Sequence, residues 1–290
     1  MRSLLIVPGD DEKRLATALT SEADALIVDL EDSVAPAAKA AARATDAVFF
    51  GEARKRAPRP RLYARVNSLE SGLIDADLEA VMPQAPDGIA LPKCLDGASV
   101  QRLGVKLAVH EAECGFADGL TRILALASER ARALFGFATY RGCSARLEGL
   151  AWNGEAFLAD LGAETNRLAD GAYAGPYALA RTLTLVGAAA AEVAAIDAAF
   201  VAFGDSEGLR AEALAARRDG FVAKLAIDPA QVPVINEVFT PSAEAAARAR
   251  AVIAAFEAAA GAGVVSLDGE TLDASRRRWA KKLLERTGMG

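Results

Sequence analysis

Asp29, Glu31 and Asp32 crowd one short stretch, Asp29-Leu30-Glu31-Asp32, at the end of the apolar run ALIV. Carboxylates this dense suit a hard divalent cation, held directly or through water, or general acid–base work. The competing reading is structural: acids at a helix start favour the positive end of its dipole. That suits Asp32 and Ser33 better than Asp29 and Glu31, which alternate along a strand. Arg65 lies inside the apolar run LYARV, with Asn67 just beyond it. An arginine aimed into an interior is costly unless it meets an anion. It calls for a substrate carboxylate or an acidic neighbour in bidentate contact. Glu129 follows LALAS and opens an arginine-rich segment. It suits a metal ligand, or a helix-start acid paired to Arg130 or Arg132. Lys93, after Pro92, suits a Schiff base or an ion pair. The ion pair is favoured, because the acids already fit a metal-dependent site.

Other chemistries are disfavoured. The single histidine, His110, falls in VQRLGVKLAVHEAE, which reads as a helix away from any strand end. No His-based triad or His-rich zinc site can be built around it. Gly204-Asp205-Ser206-Glu207-Gly208 matches the nucleophile-elbow pattern, but no histidine follows it. It reads instead as a strand-to-helix turn capped by Asp205 or Ser206. The net charge of −6 argues against nucleic acid and is neutral toward small anions. Basic residues at Lys13, Arg14, Lys39 and Arg43 can meet phosphates, although surface charge is the simpler reading. Cys94, Cys114 and Cys143 form no CxxC pair, and an odd count suits a reducing, cytoplasmic compartment. No apolar stretch of about 18 residues occurs, and Arg2-Ser3 leads straight into a strand. Neither a membrane span nor a signal peptide is expected.

The elements that must position these groups recur. Apolar runs that end in polar residues appear about eight times along the 290 residues. SLLIV opens into Pro8-Gly9-Asp10-Asp11, and GIAL ends at Pro92-Lys93. LEGLAW ends at Asn153-Gly154-Glu155, AAFVAF at Gly204-Asp205, and FVAKLAI at Asp228-Pro229. Helix-like stretches lie between the runs: Asp11–Glu22, Pro36–Arg56, Asp75–Met82, Ala98–Glu113, Tyr177–Val193 and Glu207–Asp219. This alternation indicates a parallel sheet. Eight strands favour a closed TIM (β/α)8 barrel, which gathers its chemistry at the strand C-termini. No G-x-G-x-x-G follows the first run, which disfavours a dinucleotide fold. The barrel is expected over residues 1–241 and a C-terminal helical extension over 242–290. In the extension, Ser242–Ala260 reads as a helix, Gly261-Ala262-Gly263 as a hinge, Val264–Leu267 as a strand, Asp268-Gly269 as a tight turn and Ser275–Arg286 as a basic helix.

Nearly the whole chain resembles the citrate lyase β-subunit-like proteins of the HpcH/HpaI aldolase superfamily, acyl-CoA lyases of the malyl-CoA and citramalyl-CoA type. The resemblance rests on RSLLIVPGDDEKRLATAL, ADALIVDLEDSVAPAAKAAAR, ARVN, DGIALPK, GPYALARTLTLVGAAAA and the run from DSEGLRAEAL through INEVFTPS. It implies a TIM barrel, trimers or hexamers, and a Mg²⁺-dependent lyase or thioesterase reaction on short 3-hydroxyacyl-CoA esters. The lyase releases a 2-keto acid and acetyl-CoA. By resemblance, Arg65 grips the keto-acid carboxylate, Glu129 is the first metal ligand, and Asp273 is an acid–base group supplied to a neighbouring subunit. Asp29, Glu31 and Asp32 stand behind them. The family's second metal aspartate falls on Ala156, which has no oxygen to offer, leaving Glu155 as the substitute with longer reach. A usual Gly-Lys appears as Ala223-Lys224. The usual Pro-His after Asp273 is missing, and a usual His-Pro-x-Gln reads Asp228-Pro229-Ala230-Gln231. The departure at Ala156 implies weakened Mg²⁺ binding and raises the alternative of a diverged, non-catalytic or thioesterase member.

Overall fold

A computed structural model describes every residue except 203, 260, 261 and 288–290. The chain divides into two compact units, Met1–Asn236 and Glu237–Gly290, a few residues ahead of the boundary expected after 241.

The first unit is a closed barrel of eight parallel strands in sequence order. They are β1 (Ser3–Pro8), β2 (Ala25–Asp29), β3 (Arg61–Arg65), β4 (Gly88–Leu91), β5 (Arg122–Leu126), β6 (Leu147–Ala151), β7 (Ala194–Asp197) and β8 (Ala223–Ala226). Strands buried on both faces need near-continuous apolar runs, and those runs are what made the strands visible in the sequence. Leu4, Ile27, Tyr63, Leu124, Ile196 and Leu225 fill the interior. Each such side chain contributes about 1.5–3 kcal/mol by leaving water. The helices are α1 (Glu12–Leu19), α2 (Lys39–Ala53), α3 (Ile74–Val81), α4 (Gly97–Glu113), α5 (Gly154–Leu161), α6 (Gly175–Ala191) and α7 (Ser206–Asp219), with α8 (Val232–Phe239) running across the unit boundary. Asp11, Asp96, Asn153 and Asp205 cap α1, α4, α5 and α7 with their side chains, directly after strands or strand-end loops. Asp205 therefore acts as the cap expected of it, accepting from Gly208 N at 2.8 Å.

The seventh strand is a correction. The run AAFVAF was expected to be the strand, but β7 is Ala194–Asp197, directly after the alanine-rich stretch Tyr177–Val193 read as helix. Alanine has high helix propensity, so composition hides the end of α6. The stop is Glu192, which takes a left-handed conformation (φ 61°), while Val193 N bonds back to Ala188 O. Of AAFVAF, Phe203 lies outside the described residues; the segment before it follows the strand rather than forming it.

One residue of α2 breaks the apolar rule. Ala42, Asp46, Phe50 and Ala53 form its buried stripe. Asp46 is wholly buried, and neither of its carboxyl oxygens has a hydrogen-bond partner. A Cβ at Gly9 would stand 2.6 Å from Asp46 Oδ1, so the glycine is required there. Burial, then the nearby charges of Asp29, Asp77 and Asp10, push the Asp46 carboxyl up to about 9. The unfolded chain releases this proton near pH 4, and the folded chain holds it until about pH 9. Between these values the native state binds more protons, so stability falls as pH rises. Asp46→Val is expected to stabilise the protein by about 1–3 kcal/mol at pH 8 and to flatten the decline between pH 5 and 8. Urea denaturation at both pH values checks this; an unchanged slope would contradict it.

The second unit holds α9 (Ala243–Ala258), the antiparallel pair β9 (Val264–Leu267) and β10 (Glu270–Asp273), and α10 (Ala274–Glu285). Asp268 and Gly269 both take positive φ (51° and 80°), as the tight hairpin turn requires. Val252, Phe256, Val265, Leu272 and Ala280 pack as its core. Arg276, Arg277 and Arg278 lie on an exposed helix face, and Gly261 of the expected hinge lies outside the described residues.

Candidate active site at the barrel mouth

Strands β2 and β3 pair with Asp29 opposite Arg65, so their last side chains emerge together. Arg65 Nε and Nη2 donate to Asp29 Oδ1 and Oδ2 at 2.6 and 2.7 Å. Glu31 N and Ser33 N also donate to this carboxylate, at 2.8 and 3.2 Å. Burial would raise the Asp29 carboxyl, but Arg65 and these donors outweigh it and hold it below the ordinary range. The acidic neighbour that Arg65 demanded is thus Asp29. The guanidinium also opens onto a cavity of about 270 Å³, shared with Asn153, Glu155, Arg167, Tyr173 and Leu225.

Lys93, just past β4, takes a left-handed conformation (φ 51°), strain of the kind that collects at functional sites. Its N–H donates to Glu129 Oε2 at 2.6 Å, and its Nζ bonds Glu31 and, at 3.1 Å, Asp32. The ion-pair reading of Lys93 therefore holds. Glu31 Oε2 is buried without a hydrogen-bond partner, 3.5 Å from Arg65 Nε. Burial pushes the Glu31 carboxyl up to about 7; Arg65 opposes the rise and Glu129 adds to it.

Glu129, just past β5, is 1% exposed. Besides the Lys93 N–H, it accepts from Asn153 Nδ2 at 2.9 Å. Burial raises its carboxyl against the pull of Arg65. Arg130 pairs with Asp160 at 2.8 Å and not with Glu129, so it does not serve as the helix-start partner. Glu155 lines the cavity, and its Oε1 accepts from Asn166 Nδ2 at 2.6 Å. Ala156 contributes only its N–H, which donates to Asn153 Oδ1 at 3.3 Å.

The other residues singled out in the sequence lie as follows. Asp228 caps a short turn through Ala230 N at 2.8 Å and faces a neighbouring cavity of about 360 Å³, together with Lys13 and Arg14. The two cavities share Ile6 and Ile227. Lys39 is spent on the carbonyls of Leu30 and Glu31, and Arg43 on Asp77. Asp273 belongs to the second unit, where it caps α10 through Ser275 N and Arg276 N. His110 lies on α4 beside Glu113.

A buried network behind the mouth was not expected. Lys224 of β8, wholly buried, donates to Asp197 Oδ2 at 2.7 Å, Ala198 O at 2.6 Å and Glu212 Oε1 at 2.8 Å. Trp152 Nε1 and Arg181 Nε reach Asp197 Oδ1 at 2.8 and 3.1 Å. Glu212 holds Arg167 at 2.6 Å, and the Arg167 guanidinium stacks 3.7 Å over Tyr173 at the cavity wall. The available signal was Lys224 itself: a lysine inside an apolar strand demands an acid, and Asp197 ends the neighbouring strand.

Among the described residues, no group of three or more His, Cys, Asp or Glu side chains is placed to hold a metal ion. No helix among them is long and apolar enough to cross a membrane. The family model for HpcH/HpaI aldolase/citrate lyase matches residues 2–229. The chain belongs to this family. Among relatives, the citrate lyase subunit beta of Leuconostoc mesenteroides subsp. cremoris is 31% identical over 279 residues, covering 94% of this chain and 88% of that protein. A (3S)-malyl-CoA thioesterase of Cereibacter sphaeroides is 34% identical over 281 residues, covering 94% and 89%. The structure of CitE from Mycobacterium tuberculosis, in complex with magnesium, acetoacetate and coenzyme A, superposes with a TM-score of 0.75 at 30% identity, covering 99% of this chain and 98% of CitE. A citrate lyase subunit beta and a (3S)-malyl-CoA thioesterase thus each resemble this chain along most of its length.

Proposed function

We propose that this family member is a Mg²⁺-assisted carbon–carbon lyase acting on short 3-hydroxyacyl-CoA esters of the citramalyl- or malyl-CoA type. The observation that carries the reading is Glu129, a buried carboxylate at the end of β5, set beside the Arg65–Asp29 pair at the ends of β3 and β2. The donor set suits magnesium, which is held by one or two carboxylates and keeps water and substrate oxygens. Glu129 and Glu155 would hold the ion. The unpartnered Oε2 of Glu31 leaves one more oxygen without a hydrogen bond near Glu129. When bound, the ion supplies Lewis acidity and lowers the pKa of the substrate hydroxyl.

The chain's own residues supply the rest. Arg65, locked by Asp29, presents its remaining N–H groups to the substrate carboxylate. Asp273 of a neighbouring subunit, in a trimer or hexamer, takes the hydroxyl proton. The carbon–carbon bond then breaks, the hydroxyl carbon becomes the carbonyl of the 2-oxo acid, and the thioester fragment leaves as an enolate. Asp273 returns that proton to the enolate carbon, which gives acetyl-CoA. The cavity lined by Lys13 and Arg14 supports a reading in which the CoA phosphates meet those two cations. Ala156 favours a second reading, a thioesterase or a binding member with weak metal affinity. Glu129→Gln is expected to weaken Mg²⁺ about 10- to 100-fold, by analogy with disrupted metal sites. Calorimetric titration checks it; unchanged Mg²⁺ affinity would overturn the assignment of Glu129.

A further inference from the structure

We infer that Asn153 is a latch on Glu129, a side chain whose hydrogen bond competes with a divalent cation for the Oε1 oxygen of the carboxylate. The inference rests on the reading of Glu129 as a metal ligand and adds a residue that tunes it. Asn153 joins the two places where metal oxygens are wanted. Its Nδ2 donates to Glu129 Oε1 at 2.9 Å. Its Oδ1 accepts from Glu155 N at 3.2 Å and Ala156 N at 3.3 Å, at the first turn of α5. The orientation of the amide is forced. A flipped amide would set its oxygen against the Glu129 carboxylate and its NH₂ against two N–H donors.

The backbone holds the side chain in place as well. Asn153 N donates to Ser128 Oγ at 3.4 Å, in the loop that carries Glu129. Position 153 is the N-cap of α5, so the same side chain that ends the strand loop also closes over the acid. The Lys93 N–H holds the other oxygen, Oε2, at 2.6 Å, and Glu129 is 1% exposed. Both oxygens of the proposed ligand are thereby engaged by nitrogen donors. A cation competes with the side-chain donor, because the backbone donor cannot move away without moving Lys93. A hydrogen bond to an ionised group is among the stronger ones in a protein interior, so giving it up on metal binding lowers the affinity of the unaltered protein.

Two variants separate the latch from the cap. Asn153→Gly removes the donor and costs the helix little, since glycine is tolerated at an N-cap. Asn153→Ser keeps a capping oxygen on a side chain one atom shorter, which falls short of Glu129 Oε1. Mn²⁺ is the probe, followed by electron paramagnetic resonance and calorimetry, with and without pyruvate. Both variants are expected to bind Mn²⁺ about tenfold more tightly than the unaltered protein, and adding Glu129→Gln to Asn153→Gly should erase the gain. Unchanged or weaker Mn²⁺ binding by Asn153→Gly overturns the latch. So does a gain confined to Asn153→Gly, because that would trace to a loosened helix start. The two readings fail differently. Mn²⁺ bound to the unaltered protein through Glu129, with no gain in either variant, overturns the latch alone. No Mn²⁺ bound by any form, even with pyruvate, overturns the metal assignment together with it.

Discussion

Arg65→Leu is expected to abolish keto-acid binding and to destabilise the barrel by about 3–5 kcal/mol. Arg65 is 7% exposed, and its two bonds to Asp29 neutralise a wholly buried carboxylate. Leucine would leave Asp29 with only the N–H groups of Glu31 and Ser33. Removing one member of a buried pair leaves a charge without compensation, which is far more costly than removing both. The same substitution takes the cation from the cavity wall, so an acid entering there loses its bidentate partner. Arg65→Lys is the informative control. Lysine keeps the charge but has no planar fork, so it should rescue part of the stability and little of the acid binding. Urea denaturation and calorimetry with pyruvate and oxaloacetate measure the two effects separately. An Arg65→Leu protein with near-normal stability and acid affinity would contradict the role assigned to this pair.

Lys224→Met is expected to cost about 3–5 kcal/mol by the same mechanism. Lys224 and Asp197 are both wholly buried. Burial alone would raise the Asp197 carboxyl, yet Lys224 and Arg181 hold it below the ordinary carboxylate range. A depressed folded pKa means stability present above the unfolded value near pH 4 and lost as pH falls through the folded value. Without Lys224 the Asp197 carboxyl rises and takes a proton more readily. The penalty is therefore largest at neutral pH and shrinks toward pH 5. Adding Asp197→Asn to Lys224→Met should recover part of the loss, because the orphaned charge is gone. Denaturation of the three variants at pH 5 and 7.5 tests this; a loss independent of pH would point to packing instead. The network reaches the mouth through Glu212 and Arg167, so the position of the Arg167–Tyr173 wall should shift in the same variant.

The barrel was legible because each strand is a short apolar run with a polar end, and burial on both faces demands that pattern. Arg65, Glu129 and Lys93 stood out in the sequence because each falls inside or just after an apolar run, and each type is costly to bury alone. The seventh strand was hidden because alanine serves helix and strand packing alike, and only the left-handed Glu192 marks the break. The partner of Arg65 was not readable, since the Asp29 contact depends on the register of two strands 36 residues apart. Asn153 looked like a loop residue after LEGLAW. Its double engagement, with Glu129 and with the start of α5, exists only once β5 and β6 lie side by side. Asp46 conflicts with its own helical stripe, and no sequence pattern explains it.

The most direct test of the account is a product analysis of the unaltered protein with citramalyl-CoA and malyl-CoA in saturating Mg²⁺. Chromatography with mass detection would follow the keto acid, acetyl-CoA and free CoA together. A 2-keto acid and acetyl-CoA are expected to appear in equal amounts. Free CoA with an intact hydroxy acid, and no keto acid, would contradict carbon–carbon cleavage and assign this barrel mouth to thioester hydrolysis.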